Sequence, residues 1–152
     1  MVDVDGAQRD LATLMVPAVG ALVGTGDRWE PYRLVDCDGA PVEAVALFFR
    51  ELQAAGRSGA TVRSYGLDLL RWFRFLWVIE VGWDRATRVE ARDFCRWLSI
   101  AGKPPRPHGR NRSSSPTPTG QPYAASVRAH SETVLRCFYD FHLSVAAMSG
   151  PR

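Results

Sequence analysis

Lysine is almost missing from this 152-residue chain: of nineteen basic residues only Lys103 is lysine. Cysteine is scarce as well. Cys37, Cys95 and Cys137 are odd in number and form no Cys-x-x-Cys pair, so neither a disulfide framework nor a zinc site is indicated. Long apolar runs are lacking. Leu14 to Val23 is too short to span a bilayer and contains Pro17 and Gly20. The start, MVDVDGAQRD, is acidic and does not read as a secretory leader, so a cytoplasmic location with no membrane partner is expected. Gly-x-x-x-x-Gly-Lys-Ser/Thr, Gly-x-Ser-x-Gly and His-Glu-x-x-His are all absent, and no pair of carboxylates is placed for acid–base work. His130 and His142 are twelve residues apart on one expected helix, roughly 18 Å, too far to share a metal. Tyr139 and His142 are helical neighbours, but Asp140 points elsewhere and orients neither, so both read as packing residues. No catalytic residue, metal, cofactor or small-molecule substrate is therefore expected.

What is present is an uneven charge distribution. From Met1 to Gly56 nine acids stand against four arginines, leaving −5; from Arg57 to Arg152 seven acids stand against fifteen basic residues, leaving +8. The second part is where a polyanion would bind. Arginine grips phosphate and guanine through two parallel bonds, which suits DNA, although a GC-rich coding bias accounts for the Arg:Lys ratio equally well.

Along the chain, 1–40 reads as an N-terminal arm. Arg9 to Val16 suggests a short helix; Pro17, Gly20, Gly24 and Gly26 then interrupt the pattern, and the rings of Trp29 and Tyr32 are expected to pack the arm back. Pro41 to Ala55 reads as the first helix, with Pro41 at its first position, Val45, Phe48, Phe49 and Leu52 as core stripe, and Gly56 as stop. Arg57 to Ile79 reads as a long second helix capped by Ser58. At about 100° per residue, Val62, Tyr65, Leu69, Trp72, Phe73 and Leu76 gather on one face, and Arg63, Arg71 and Arg74 on the opposite, solvated one.

Gly82 is expected to break that helix, and Trp83 to anchor the turn. Thr87 and Glu90 fit a capping box for a third helix running to about Ile100, with Phe94, Trp97 and Leu98 inward and Arg88, Arg92 and Arg96 solvated. Residues 102–122 form a Pro-, Gly- and Ser-rich basic segment, expected to be a long flexible loop. Tyr123 to Ala147 reads as the fourth helix, with Val127, Val134, Phe138, Phe141 and Val145 inward. With no convincing strand, the expected fold is all-α: a four-helix bundle over 41–148 preceded by the arm.

The order of these pieces resembles the N-terminal core-binding domain of tyrosine recombinases, the phage-integrase family with a SAM-like helical fold. Val42 to Ser58 supplies the first piece. Thr61, Tyr65, Asp68 and Leu69 are similar to the family's Thr-x-x-x-Tyr-x-x-Asp-Leu signature; Trp83, Thr87, Phe94, Trp97 and Leu98 resemble its third-helix pattern; Ser126 to Leu143 resembles its closing helix. The segment DRWEPYRLVDCDG is also similar to the lead-in of some integrases.

The resemblance implies DNA integration or site-specific recombination, with the second and fourth helices approaching the major groove of double-stranded DNA. The implied contacts are Arg57, Thr61, Arg63 and Ser64, then Lys103, Arg110 and Arg112 from the loop, and Ser126 and Arg128 from the last helix. The family cuts DNA with a separate domain carrying Arg, Lys, His-x-x-Arg and a nucleophilic Tyr. No His-x-x-Arg occurs here, so the expectation is a chain that binds DNA without cutting it, and is not an enzyme. Other recombinase protomers are a second expected partner. The alternative is a protein-interaction module using Phe75, Trp77 and Val78 as an apolar patch, or a non-functional remnant of a mobile-element integrase. Concentration-dependent size without DNA binding favours the former.

Overall fold

The computed structural model describes residues 9–100, 123 and 125–149. Its element order is β1 (Ala21–Asp27), β2 (Glu30–Val35), α1 (Glu43–Ala54), α2 (Gly59–Ile79), α3 (Arg88–Ile100) and α4 (Ala125–Ser149). The four expected helices are present, but the all-α expectation is overturned by an antiparallel hairpin within the expected arm. Contacts divide the chain into two compact units: Met1–Met15 with Ala86–Ala129, and Val16–Arg85 with His130–Arg152. The loop expected at 102–122 lies outside the described residues.

The hairpin belongs to the second unit. Leu22 pairs with Leu34 and Gly24 with Tyr32, so these side chains share one face; Val23 and Arg33 share the other. Leu34 is buried on the inner face, against which α1 and α2 pack. The connecting turn is Arg28 and Trp29. Asp27 accepts the Trp29 N–H at 2.9 Å, and Gln53 of α1 donates to the Arg28 carbonyl at 3.1 Å. Trp29 does not pack the chain back as expected; it is exposed, with the Arg28 guanidinium 5.3 Å from its ring centre. Pro31 is tolerated because a two-stranded sheet has only edge strands.

Pro41 is not the first residue of α1. It bridges to Val35, while the Val42 N–H bonds the Leu34 carbonyl at 2.9 Å and Val42 caps the helix. Val45, Phe48, Phe49 and Leu52 are buried as expected. At the helix end the Gly56 N–H reaches the Gln53 carbonyl and the Arg57 N–H the Leu52 carbonyl, both at 3.0 Å. This closing pattern needs a left-handed residue, which Gly56 supplies at φ 80°.

The second helix starts two residues later, with Ser58 Oγ accepting the Thr61 N–H at 3.1 Å. It ends not at Gly82 but at Glu80, itself left-handed at φ 60°, where the Val81 N–H returns to the Leu76 carbonyl at 3.1 Å. The arginine row on α2 is not a solvated face. Arg74 donates from Nε and Nη2 to the Val19 and Gly20 carbonyls at 2.7 and 3.1 Å, and Arg71 turns to Asp68; only Arg63 is exposed. Val62, Leu69, Trp72, Phe73 and Leu76 are buried and Tyr65 is half-buried.

Helix α4 meets α2 around Phe138, which is fully buried beside Phe48, Phe73 and Trp83 at ring-centre distances of 5.6, 6.1 and 5.6 Å. Trp83 thereby anchors its turn as expected, and its carbonyl accepts the Tyr139 hydroxyl at 2.7 Å. Val134 is buried, but Val145 is not core: it is exposed along with Leu143 and Met148 in the last turns of α4.

A polar contact also joins α2 to α4. Asp68, 2% exposed, accepts from Arg71 Nη2 at 2.7 Å and Ser131 Oγ at 2.6 Å through Oδ1, and from His130 Nδ1 at 2.5 Å through Oδ2. A buried carboxylate is tolerated only when its lone pairs are met, and here three donors meet them.

In the first unit the capping box forms as read. Glu90 Oε1 accepts the Thr87 N–H at 2.7 Å and its hydroxyl at 2.8 Å, and Thr87 Oγ1 accepts the Val89 N–H at 3.1 Å. Arg9 adds bonds to Glu90 at 3.0 Å and to Asp93 at 2.6 Å. Burial pushes the Glu90 carboxyl up, but the Thr87 N–H and hydroxyl and the Arg9 guanidinium together hold it below its ordinary value. Phe94, Trp97 and Leu98 are buried and Arg88, Arg92 and Arg96 exposed, as expected. No helix forms over 9–16 as expected: a turn at 11–13 is closed by the Leu14 N–H reaching the Leu11 carbonyl at 3.3 Å, and Thr13 donates to Asp10 at 2.8 Å.

Two substitutions test these constraints by urea unfolding. Gly20 lies at φ 74°, and a Cβ there would stand 2.7 Å from the Val35 carbonyl oxygen; at Gly56, also left-handed, a Cβ would meet nothing within 4 Å. Gly20→Ala is expected to cost about 2–4 kcal/mol and Gly56→Ala about 1 kcal/mol; equal losses would contradict the close approach. Asp68→Ala strands Arg71, His130 and Ser131 and is expected to cost about 3 kcal/mol, with Asp68→Asn costing less because it keeps the shape. A loss under about 1 kcal/mol for Asp68→Ala would show that the buried carboxylate is not structural.

Candidate nucleic-acid interface

The corner between α1 and α2 presents the first group of expected contacts. Arg57 is fixed at its backbone by the bond that closes α1 and is followed directly by the cap of α2, so its Cα is held from both sides. Its side chain is exposed, as are those of Arg63 and Ser64. Neither arginine makes an ion pair or side-chain hydrogen bond among the described residues. Thr61 is half-buried, and its Oγ1 accepts from Ser58 Oγ at 3.1 Å, which builds it into the cap. Thr61 and Ser64, three residues apart, share one side of α2, with Arg63 about 100° round from Ser64. The first turn of α2 carries no acid, so the positive end of its dipole is uncompensated within the helix.

The second group lies in the other unit. Ser126 is exposed in the first turn of α4. Arg128 is half-buried, and its Nη1 donates to the Tyr123 carbonyl at 2.8 Å, while the Tyr123 N–H bonds the Leu98 carbonyl at 3.2 Å. Part of the Arg128 guanidinium is thus spent on holding the entry into α4, which the sequence did not foretell. Lys103, Arg110 and Arg112 lie outside the described residues. The structure therefore gathers Arg57, Thr61, Arg63 and Ser64 at one end of α2 in the second unit, while Ser126 and Arg128 belong to the first.

Reading the sequence alone missed His130 as a surface group. Its side chain is 43% exposed, and its ring stands edge-on to Tyr65 at 5.9 Å between centres. A carboxylate accepts, so Nδ1 carries the proton bonded to Asp68, and Nε2 is the ring nitrogen left over. A signal was available in part, because Asp68 and Arg71 are spaced for a helical ion pair and Asp68 belongs to the recognised signature. The partnership with His130 and Ser131, more than sixty residues away, had none.

Two other groups are accounted for by packing. Tyr139 accepts from Trp72 Nε1 at 3.1 Å and donates to the Trp83 carbonyl; His142 Nε2 donates to the Ala44 carbonyl at 2.9 Å. The apolar patch considered for protein interaction does not stand open: Phe75 is fully buried and Trp77 and Val78 are half-buried. Among the described residues no helix is long and apolar enough to cross a membrane.

Comparison with curated proteins and with solved structures gives no match. Comparison with family models gives one, described as phage integrase, N-terminal SAM-like domain, over residues 45–114. The matched stretch runs from the core stripe of α1 through the Asp68 signature of α2 and all of α3. Residues 45–114, then, match the model of the N-terminal SAM-like domain of phage integrases.

Proposed function

We propose that the chain binds double-stranded DNA as the core-binding domain of a site-specific tyrosine recombinase, with the amino end of α2 as its principal contact. The observation that carries this reading is the family match, which spans that helix. Three physical features support it. Arg57 and Arg63 are exposed and without an internal partner among the described residues, so their charge is available to phosphate. The segment from Arg57 onward carries the chain's positive excess, while the segment before it is acidic. The cap at Ser58 and the closing bond of α1 fix the corner, so little order is lost when it meets a rigid duplex.

Arg63 is assigned to a base edge or phosphate, and Arg57 and Ser64 to phosphate. Thr61 positions the corner through its bond to Ser58. Ser126 and Arg128, and the basic Lys103, Arg110 and Arg112, are assigned as further backbone contacts. The function proposed for these residues is binding; the His-x-x-Arg of the family's cleavage chemistry is not among them. Other recombinase protomers remain a proposed second partner. A duplex DNA partner agrees with the cytoplasmic location expected from the sequence.

Fluorescence anisotropy with a random-sequence duplex tests this. The logarithm of the binding constant should fall linearly with the logarithm of salt concentration. Arg63→Ala should weaken binding by about 1 kcal/mol, and should reduce the salt slope by about one if its contact is a phosphate. Unchanged affinity would remove Arg63 from the interface. No binding at low salt would overturn the reading.

A further inference from the structure

The Asp68 cluster does more than join two helices. Its three charged or ionisable members are Asp68, Arg71 and His130. Asp68 and Arg71 neutralise each other at 2.7 Å, so the cluster's charge is set by His130: zero when the imidazole is neutral, positive when it is protonated. Asp68 is nearly inaccessible and anchors Nδ1, which fixes the ring and leaves Nε2 as the nitrogen with no partner among the described residues. In the neutral ring that Nε2 is an acceptor and repels a phosphate oxygen; in the protonated ring it is a donor of a charge-assisted bond.

The position suits a DNA contact. Thr61, Tyr65 and Asp68 are spaced four and three residues apart and so form one stripe along α2, about 10 Å from end to end. His130 lies against the inner end of that stripe, touching Tyr65 and Asp68, and the exposed amino corner lies at the other end. The groups facing the imidazole from α2 are Asp68, with Arg71 on the same carboxylate, and the Tyr65 ring. On α4 the residues three and four positions away are Ser126, Val127, Thr133 and Val134, none of them charged.

We propose that His130 is an additional phosphate-contacting residue of this chain, held by Asp68 as a positioning residue, and that its contact makes DNA affinity depend on protonation. The proposal rests on the DNA-binding reading above and extends it to a residue outside the recognised contacts. Its ligand is the phosphodiester backbone, because a single charged nitrogen without a second donor offers no reading of a base edge.

The test measures affinity for one random-sequence duplex from about pH 8 to about pH 5.5 at fixed low salt. Wild type should tighten about three- to tenfold as pH falls, as for a partly solvated charge-assisted bond. Arg63→Ala should bind more weakly yet keep the same pH gain. His130→Gln can still donate to Asp68 but has no titration, and should lose most of the gain. Asp68→Asn, checked for folding by circular dichroism, should reduce it too, since the imidazole loses its charged anchor. A purely structural role for His130 would lower stability without changing the pH slope. Binding that persists with a flat wild-type profile, or with the same gain in His130→Gln, overturns the proposal and leaves the DNA-binding reading intact. No binding by any variant at low salt overturns both.

Discussion

A single buried carboxylate, Asp68, constrains the second unit more than any other polar group in it. Left alone at 2% exposure it would cost several kcal/mol. It is tolerated because α2 offers Arg71 and α4 offers His130 and Ser131, all within 2.7 Å. Three bonds of that kind admit little change in the rotation of α4 against α2. The apolar contacts around Phe138 supply the larger share of the favourable free energy, but such contacts are less directional and would tolerate slippage. The network also sets how side chains meet the surface: Arg71 is turned onto Asp68 and half-buried, while His130 is held at the surface.

The same division of labour runs along α2. Arg71 and Arg74 satisfy a carboxylate and two loop carbonyls, so their charge is spent inside the molecule. Arg57 and Arg63 at the amino end have no such duty among the described residues. Along α1 and α2, the arginines free of such duties therefore include two at one corner, where α1 closes, α2 opens, and both ends are fixed by backbone bonds. The hairpin contributes by covering α1 and α2 with Leu22 and Leu34, and Arg74 ties its lead-in to the helix.

Much of this was legible in the sequence, for identifiable reasons. The helices carry strong apolar periodicity, and the capping box at Thr87 and the cap at Ser58 are local patterns whose partners lie within three residues. The hairpin was not legible. Its strands alternate over few residues, Gly24, Gly26 and Pro31 read as breakers, and its turn, Arg28–Trp29, lacks the Asn-Gly or Asp-Gly signal. Pro41 read as a helix start because nothing local shows that Val35 claims it. Helix faces could be assigned, but a face does not decide between water and a distant carbonyl for an arginine opposite the core stripe, and Arg74 takes the carbonyl across more than fifty residues. Of the expected contacts, the exposure of Arg57, Arg63 and Ser64 followed from their positions, whereas the bonds of Thr61 to Ser58 and of Arg128 to Tyr123 have no sequence signature.

The measurement that bears most directly on the central claim is the amide chemical-shift change of isotope-labelled protein titrated with a short duplex at low salt. Binding through the amino end of α2 predicts the largest changes at Arg57–Ser64, extending to Tyr65 and His130, with the hairpin turn at Arg28 and Trp29 unaffected. Changes confined to the hairpin or to the last turns of α4, with Arg57–Ser64 silent, would contradict it.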